Sequence, residues 1–278
     1  MSRKDWTDDK LLFRLINNKT EKTRWDNIQV LRDRVSQELF SKSVELTKSD
    51  NPKIRKIGID ILAQLGETPR PFLNDTLKVY FDLLDVETNP DVLMSLLYSV
   101  GHNNDSLSKK QIDKVCSFIS NENDWVKEGL VFALLGIDNT NAIKTLIKLS
   151  SDKLSHVRDW ATFGIGSQIE RNNKYIREAL WERVNDKHQE TKLEAIMGLA
   201  KRNDKRVNKI IRDELINQEH GILLLEAVIE TQNKEFLPLL RNNLNTIIDD
   251  NSIDFRWKKD LKNCIDELTK LTSVIEIS

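Results

Sequence analysis

The sequence predicts an all-α protein built as an array of helix pairs, and three observations lead to this prediction. Only nine glycines and five prolines occur in 278 residues, less than half the average frequency, so tight turns between strands must be scarce. Apolar residues recur every three to four positions, which is the period of an amphipathic helix. Similar segments also return every 31 to 38 residues, a spacing typical of helical repeat arrays.

Five similar segments define the repeat. Each has an anchor position that is followed by a small or apolar residue and then, seven positions on, by an aliphatic one. The anchors are Arg55, Leu93, Lys127, Arg158 and Lys192. Each such segment predicts the second helix of a pair, and an amphipathic segment before it predicts the first. The predicted first helices cover residues 36–49, 70–84, 108–120, 141–150, 173–184, 205–215 and 235–244.

The two ends of the chain depart from the repeat, as capping segments of a repeat array do. Residues 1–33 predict N-terminal capping helices, with Thr7 as an N-cap. Residues 34–250 predict the repeat array, in which Asp and Asn form the turns between helices. Residues 251–278 predict a charged C-terminal capping helix. No long linker or change of composition interrupts the chain, so we expect a single continuous domain.

Composition and motifs exclude several classes of function. Lys and Arg (43) balance Asp and Glu (44), so the basic excess of a dedicated nucleic-acid binder is absent. Cys116 and Cys264 are typical of buried thiols in a reducing compartment. Neither a secretion signal nor an apolar run of about 20 residues occurs, and we expect a cytoplasmic monomer. No phosphate loop, GxSxG or HExxH motif is present, so we expect no catalysis and no cofactor.

Three histidines at a regular spacing raise the question of a metal site. His156, His188 and His220 follow one another at intervals of 32 residues. Equivalent positions in adjacent repeats lie about 10 Å apart because packed helices are separated by that distance. The ligands of one zinc ion must each lie about 2 Å from it, so one metal cannot collect all three. We therefore expect no metal and interpret these histidines as turn residues.

The repeat resembles the short HEAT repeat, including the variant found in phycobilisome-lyase-type proteins. The resemblance covers roughly residues 20–245 and is most specific in HVRDWATFGIG (156–166) and KLEAIMGLAKRNDKRV (192–207). With LPLL at 237–240, these segments are also similar to small bacterial HEAT-repeat proteins described as immunity proteins of polymorphic toxin systems. The sequence departs from the repeat at Leu93 and after residue 217. The resemblance implies a right-handed α-α superhelix, a HEAT-repeat solenoid of about seven helix pairs.

The resemblance also implies a class of function. We expect a non-enzymatic scaffold that binds another protein on its concave wall of second helices, where repeat proteins commonly bind. The narrower likeness implies an immunity protein that holds a cognate toxin domain. Two alternatives stay open: a bilin-lyase-like HEAT protein and a HEAT-like DNA glycosylase. The second would use Trp125, Asp159 and Trp160, but it also needs a strongly basic groove, and we do not expect nucleic acid to bind.

An aromatic strip is the candidate binding surface. Large apolar residues occur five positions after four of the anchors, and two tryptophans flank them with acidic neighbours. One interpretation is packing between neighbouring second helices, and the other is an exposed strip of the residue types that dominate protein interfaces. The strip consists of Tyr98, Asp124, Trp125, Phe132, Asp159, Trp160, Phe163 and Met197.

Two sets of basic residues have both a structural and a functional interpretation. The anchors could line a cationic groove, but an Asp near most of them favours ion pairs with neighbouring turns. The second set could bind nucleic acid, but interspersed acidic residues favour a solvated outer face. The first set is Arg24, Arg55, Lys127, Arg158 and Lys192, and the second is Lys201, Arg202, Lys205, Arg206, Lys209 and Arg212.

Overall fold

All regular secondary structure in the part of the chain that the structure describes is helical. The computed structural model describes residues 2–17, 19–217 and 221–275. These residues form three single 3-10 turns and sixteen α-helices. The helices are α1 (Asp8–Ile16), α2 (Glu21–Arg32), α3 (Gln37–Leu46), α4 (Pro52–Gln64), α5 (Leu73–Leu84), α6 (Pro90–Gly101), α7 (Lys109–Ser117), α8 (Asp124–Leu134), α9 (Thr140–Leu149), α10 (Ser155–Gly166), α11 (Lys174–Trp181), α12 (Gln189–Lys201), α13 (Val207–Asn217), α14 (Ile222–Thr231), α15 (Leu237–Ile247) and α16 (Phe255–Ile275).

The chain divides into two compact units, Met1–Thr145 and Leu146–Ser278. In the first unit α2, α4, α6 and α8 pack side by side, and α1, α3, α5 and α7 each pack against the helix that follows. In the second unit α10, α12, α14 and α16 pack side by side, with α11, α13 and α15 packed against the helix that follows each. We call these two sets of side-by-side helices the even-helix layers. The predicted division into residues 1–33, 34–250 and 251–278 stays a prediction.

Short polar side chains begin most of the helices, as the turn composition predicted. Asn51, Asn89 and Asn123 precede α4, α6 and α8, and each amide oxygen accepts a backbone N–H of the first turn at 3.0 Å. The predicted N-cap Thr7 accepts the N–H of Lys10 at 3.3 Å. Such caps each contribute about 1 kcal/mol because they satisfy backbone donors that have no partner within the helix.

The even-numbered helices bury more of their circumference than a single amphipathic stripe. In α10 the residues of one helical face, Val157, Ala161 and Ile165, are fully buried. Thr162, which the helical pattern places on the opposite side, is fully buried as well. The reason is that α10 packs against both α11 and its layer neighbour α12. A helix inside a layer is therefore covered on several sides, which periodicity within one helix does not reveal.

Glycines allow two neighbouring helices of a layer to approach closely. A Cβ added to Gly198 of α12 would lie 2.7 Å from Gly166 Cα of α10 and 2.9 Å from Leu180 Cδ1. Likewise, a Cβ on Gly101 of α6 would lie 2.6 Å from the carbonyl oxygen of Phe132 in α8. These distances are shorter than carbon and oxygen atoms tolerate, so any side chain would push the helices apart. These glycines therefore permit the close approach of the helices.

Arginine anchors connect successive repeats in a repeated geometry. Arg55 donates two hydrogen bonds to Glu87, at 2.7 and 3.0 Å, and a third to the Ser49 carbonyl. Arg158 donates two to Asp186, at 3.0 and 2.9 Å, and others to the carbonyls of its own preceding turn. Each guanidinium therefore joins the turn before its own helix to the acidic turn of the next repeat. The structural interpretation of the anchors is confirmed at these two positions.

The prediction that the second basic set forms a solvated outer face is wrong for one residue, Arg202. Arg202 is buried, and its guanidinium donates to five carbonyl oxygens at 2.6 to 3.2 Å. Four of these carbonyls belong to the end of α10 and the turn after it, and one belongs to α12. The side chain thus caps two helix ends, where carbonyls have no partner within the helix and the dipole favours a cation. Arg206 and Lys209 are exposed and pair with Asp204 and Asp213.

Both cysteines are buried and reduced, as predicted. Burial raises the pKa of the Cys264 thiol to about 12, because it disfavours the charged thiolate. No described helix has the length and apolar character that crossing a bilayer requires.

Candidate functional site

Two aromatic residues of the predicted strip pair across neighbouring helices of the first unit. The ring centroids of Tyr98 (α6) and Phe132 (α8) lie 4.5 Å apart, and both side chains are half-buried. The Tyr98 hydroxyl donates a hydrogen bond of 2.6 Å to Glu128 Oε1. Burial, and then this carboxylate, raise the pKa of Tyr98. The pair forms part of the surface of the even-helix layer and also contributes to helix packing.

The flanking residues of the first unit lie at the beginning of α8. Asp124 is the first residue of the helix and is half-buried. Trp125 follows it with 57% of its surface exposed. The backbone N–H of Trp125 is fixed by the Asn123 cap, so a rigid helix start presents a large apolar side chain to solvent.

A second aromatic pair lies in the second unit. Trp160 and Phe163 of α10 contact edge to face, with centroids 5.7 Å apart and planes at 85°. Trp160 is 37% exposed. Asp159 beside it has a buried Oδ1 atom with no hydrogen-bond partner among the described residues. Burial raises the pKa of Asp159, the carboxylates of Glu190 and Asp186 raise it further, and His188 opposes them.

Met197 occupies the same register as Phe163 but is only 7% exposed. It lies on α12, which has a layer neighbour on each side, α10 and α14. Met197 therefore belongs to helix packing, and it is the one residue of the strip that the structure removes from the surface. The structure places Tyr98 with Phe132, and Trp160 with Phe163 and Asp159. That these residues bind a partner stays a prediction.

The structure adds a cavity that the sequence reasoning missed. A space of about 400 Å³ opens on the even-helix layer of the first unit, between α2, α4 and α6. Trp25, 46% exposed, forms one side of it. The repeat register had reached Arg24 in TRWDNIQVL, so the tryptophan after that anchor was a usable signal. The lining includes Arg24, Trp25, Lys56, Asp60, Met94 and Tyr98.

Opposite charges meet within this cavity. The Arg24 guanidinium contacts the Asp60 carboxylate through Nη2, and Ser95 Oγ donates to Asp60 Oδ1 at 2.6 Å. Burial lowers the pKa of Arg24, which Glu21 partly offsets. Burial also lowers the pKa of Lys56, and the neighbouring charge of Arg24 lowers it further. The cavity is thus a partly apolar recess with two cations close together.

No described group of three or more His, Cys, Asp or Glu side chains is arranged to hold a metal ion. Of the three regularly spaced histidines, His220 lies outside the described residues. His188 contacts Thr191 Oγ1 at 3.1 Å and Glu190 Oε2 at 3.4 Å, and His156 is exposed. The described side chains can contact a ligand or partner through apolar, charged and hydrogen-bonding groups.

These features define an all-α helical-repeat protein whose exposed tryptophans and cavity lie on its even-helix layers. No protein-family model matches the sequence. The chain is similar to Protein YibA of Escherichia coli strain K12, with 29% identity over 249 residues that cover 88% of each protein. Protein YibA of E. coli O157:H7 gives the same values.

The similarity to YibA extends to its three-dimensional structure. The X-ray structure of E. coli YibA matches with a TM-score of 0.77 and 27% identity, over 96% of this chain and 94% of that one. A match of this quality over almost the whole chain shows that the two share a fold. The predicted fold class, an all-α solenoid of HEAT-type helix pairs, is confirmed.

Proposed function

We propose that this chain is a non-enzymatic scaffold that binds another protein through its even-helix layers. The observation that carries the proposal is the exposure of Trp25, Trp125 and Trp160, one on each of α2, α8 and α10. Tryptophan is enriched among the residues that dominate binding energy in protein interfaces. Rigid helices hold these side chains in place, so little conformational entropy is lost when a partner covers them.

Within this proposal the partner is a toxin domain, and the chain is the immunity protein that holds it in the cytoplasm. The resemblance of residues 156–166 and 192–207 to immunity proteins supports this finer assignment. The charge distribution argues against the DNA-glycosylase alternative. Arg206 pairs with Asp204 and Glu178, and the net charge is −1, so little uncompensated charge is left for phosphates. No contact among the residues that the structure describes favours the bilin-lyase alternative.

The test is binding to toxin domains encoded beside this chain's gene, measured by calorimetry with purified proteins. Trp125→Ala and Trp160→Ala should each weaken binding by about 10- to 30-fold, the effect of losing an interface hot spot. The matched controls are Phe13→Ala on α1 and Tyr175→Ala on α11, which remove exposed aromatic residues from odd-numbered helices. Circular dichroism checks that each variant is folded. Equal binding by the wild type and both tryptophan variants would refute the assignment of the surface.

A further inference from the structure

Two neighbouring cations, Arg24 and Lys56, line the cavity of the first unit together with the carboxylates of Glu21 and Asp60. Lys56 is half-buried and forms no hydrogen bond or ion pair with any residue that the structure describes. The Nε atom of Arg24 is buried and likewise has no hydrogen-bond partner among them. A buried donor without an acceptor destabilises the protein, and the Nε atom of Arg24 is such a donor. A ligand that supplies acceptors at this point would therefore recover free energy that the unliganded protein lacks.

A second recess meets the cavity at the same two cations. It has a volume of about 350 Å³, and Glu21, Arg24 and Lys56 line both spaces. The two cations therefore lie where the two recesses adjoin. Repulsion from Arg24 is one cause of the lowered pKa of Lys56, and an anion placed between them would replace this repulsion by attraction.

The carboxylates already present limit the negative charge that this place can accept. Asp60 already contacts Arg24, and its own Oδ1 is occupied by Ser95. The Glu21 carboxylate lies 3.5 Å from Arg24 and is mostly in solvent. Lys56 has no carboxylate within ion-pair distance, although the charges of Asp91 and Glu21 raise its pKa. A doubly charged phosphate would be repelled by Asp60, Glu21 and Asp91 more strongly than a carboxylate, which carries one charge.

The remaining wall of the cavity combines apolar side chains with the polar Gln64, Ser95, Ser99 and His102. Trp25, Met94 and Tyr98 line it together with Ala63, and Trp25 still exposes nearly half of its surface. A planar or branched apolar group would remove that surface from water, which favours binding. The volume lies within the range of small-ligand sites, about 300–1,000 Å³.

We propose that this cavity binds a carboxylate carried on an apolar group, with the carboxylate at Lys56 and Arg24 and the apolar group against Trp25 and Met94. The same chemistry occurs in a free organic acid and in the C-terminal residue of a peptide. This site goes beyond the proposed function, since it binds its ligand whether or not a toxin partner exists.

The experiment compares 3-phenylpropionate with its uncharged amide by isothermal calorimetry at low ionic strength. The acid should bind about tenfold more tightly than the amide, the effect of one charge-assisted hydrogen bond. Lys56→Met should remove this preference. The matched control Lys48→Met removes an exposed charge of the same unit and should retain it. Trp25→Leu should weaken the binding of the acid and of the amide by the same factor.

A peptide arm distinguishes the two sources of the ligand. A hexapeptide that ends in phenylalanine carboxylate should bind more tightly than 3-phenylpropionate if the site receives a chain terminus, and more weakly if it receives a free acid. Three results would overturn the proposal: no heat with the acid, equal affinity for acid and amide, or an unchanged preference in Lys56→Met. Circular dichroism of each variant excludes unfolding as the cause.

Discussion

The buried guanidinium of Arg202 provides the sharpest test of how the second unit is held together. Its five hydrogen bonds run to the carbonyls of Ile165, Gly166, Ile169, Arg171 and Gly198. Replacing it with methionine keeps most of the apolar side chain and removes every donor. The carbonyls at the ends of two helices would then lose their partners while still covered by protein.

The magnitude follows from two opposing contributions. Hydrogen bonds from a charged donor each contribute about 1.5–3 kcal/mol, so five of them greatly exceed the effect of any one. Burying the guanidinium costs several kcal/mol, a cost that also lowers the pKa of Arg202. We therefore expect Arg202→Met to lower the free energy of unfolding by about 3 kcal/mol. The free energy of unfolding of Arg202→Lys should lie between those of the wild type and Arg202→Met, since an ammonium group has three donors for five acceptors.

The assay is urea unfolding followed by far-UV circular dichroism, with amide hydrogen exchange to locate the effect. Exchange should accelerate at the end of α10 and in the turn that follows it. Lys201→Met is the control because it removes the same charge from an exposed neighbouring position, and it should change stability by less than about 0.5 kcal/mol. A loss of under about 1 kcal/mol in Arg202→Met would refute the reasoning, since it would show that the carbonyls find other partners without cost.

Three further predictions concern packing, pH and thiol reactivity. Gly198→Ala should destabilise the protein by about 1–3 kcal/mol through its clash with Gly166, measured by urea unfolding. The pKa of Asp186 is lowered in the folded protein, chiefly by hydrogen bonds from Arg158. The pair should therefore stabilise the protein fully at pH values above the unfolded-state pKa of Asp. This contribution should be lost as the pH falls through the lower folded-state pKa. Unfolding curves between neutral and acid pH should therefore have a shallower pH slope in Asp186→Asn, and an unchanged slope would contradict this. Cys264 should react with a thiol reagent only after unfolding, and rapid modification of the native protein would show that its burial is incomplete.

The sequence predicted the fold well because the signals that specify it are local and repeated. Helical periodicity, Asn and Asp at helix starts and regular anchor spacing each act within about 35 residues. The ion pairs of Arg55 and Arg158 were foreseeable because an acidic turn recurs in the register.

The candidate surface depended on neighbours that the sequence does not identify. Phe163 and Met197 share one register position, yet only Met197 is covered. Arg202 looked like a surface charge because the carbonyls of α10 that it caps lie 36 and 37 positions earlier. The cavity beside Trp25 exists only once three helices are placed side by side. These contacts depend on how the helices pack against one another, which the repeat period of the sequence does not specify.

The arginine anchors also determine what counts as one building block of this protein. Arg55 belongs to α4, but Glu87 lies in the turn between α5 and α6, inside the next helix pair. A variant shortened between two pairs would separate a guanidinium from its carboxylate and leave one of them stranded at the new end. A variant shortened at the acidic turns would keep Arg55 and Arg158 with their partners. The unit to remove or duplicate when this array is redesigned therefore runs from one acidic turn to the next, out of phase with the helix pairs.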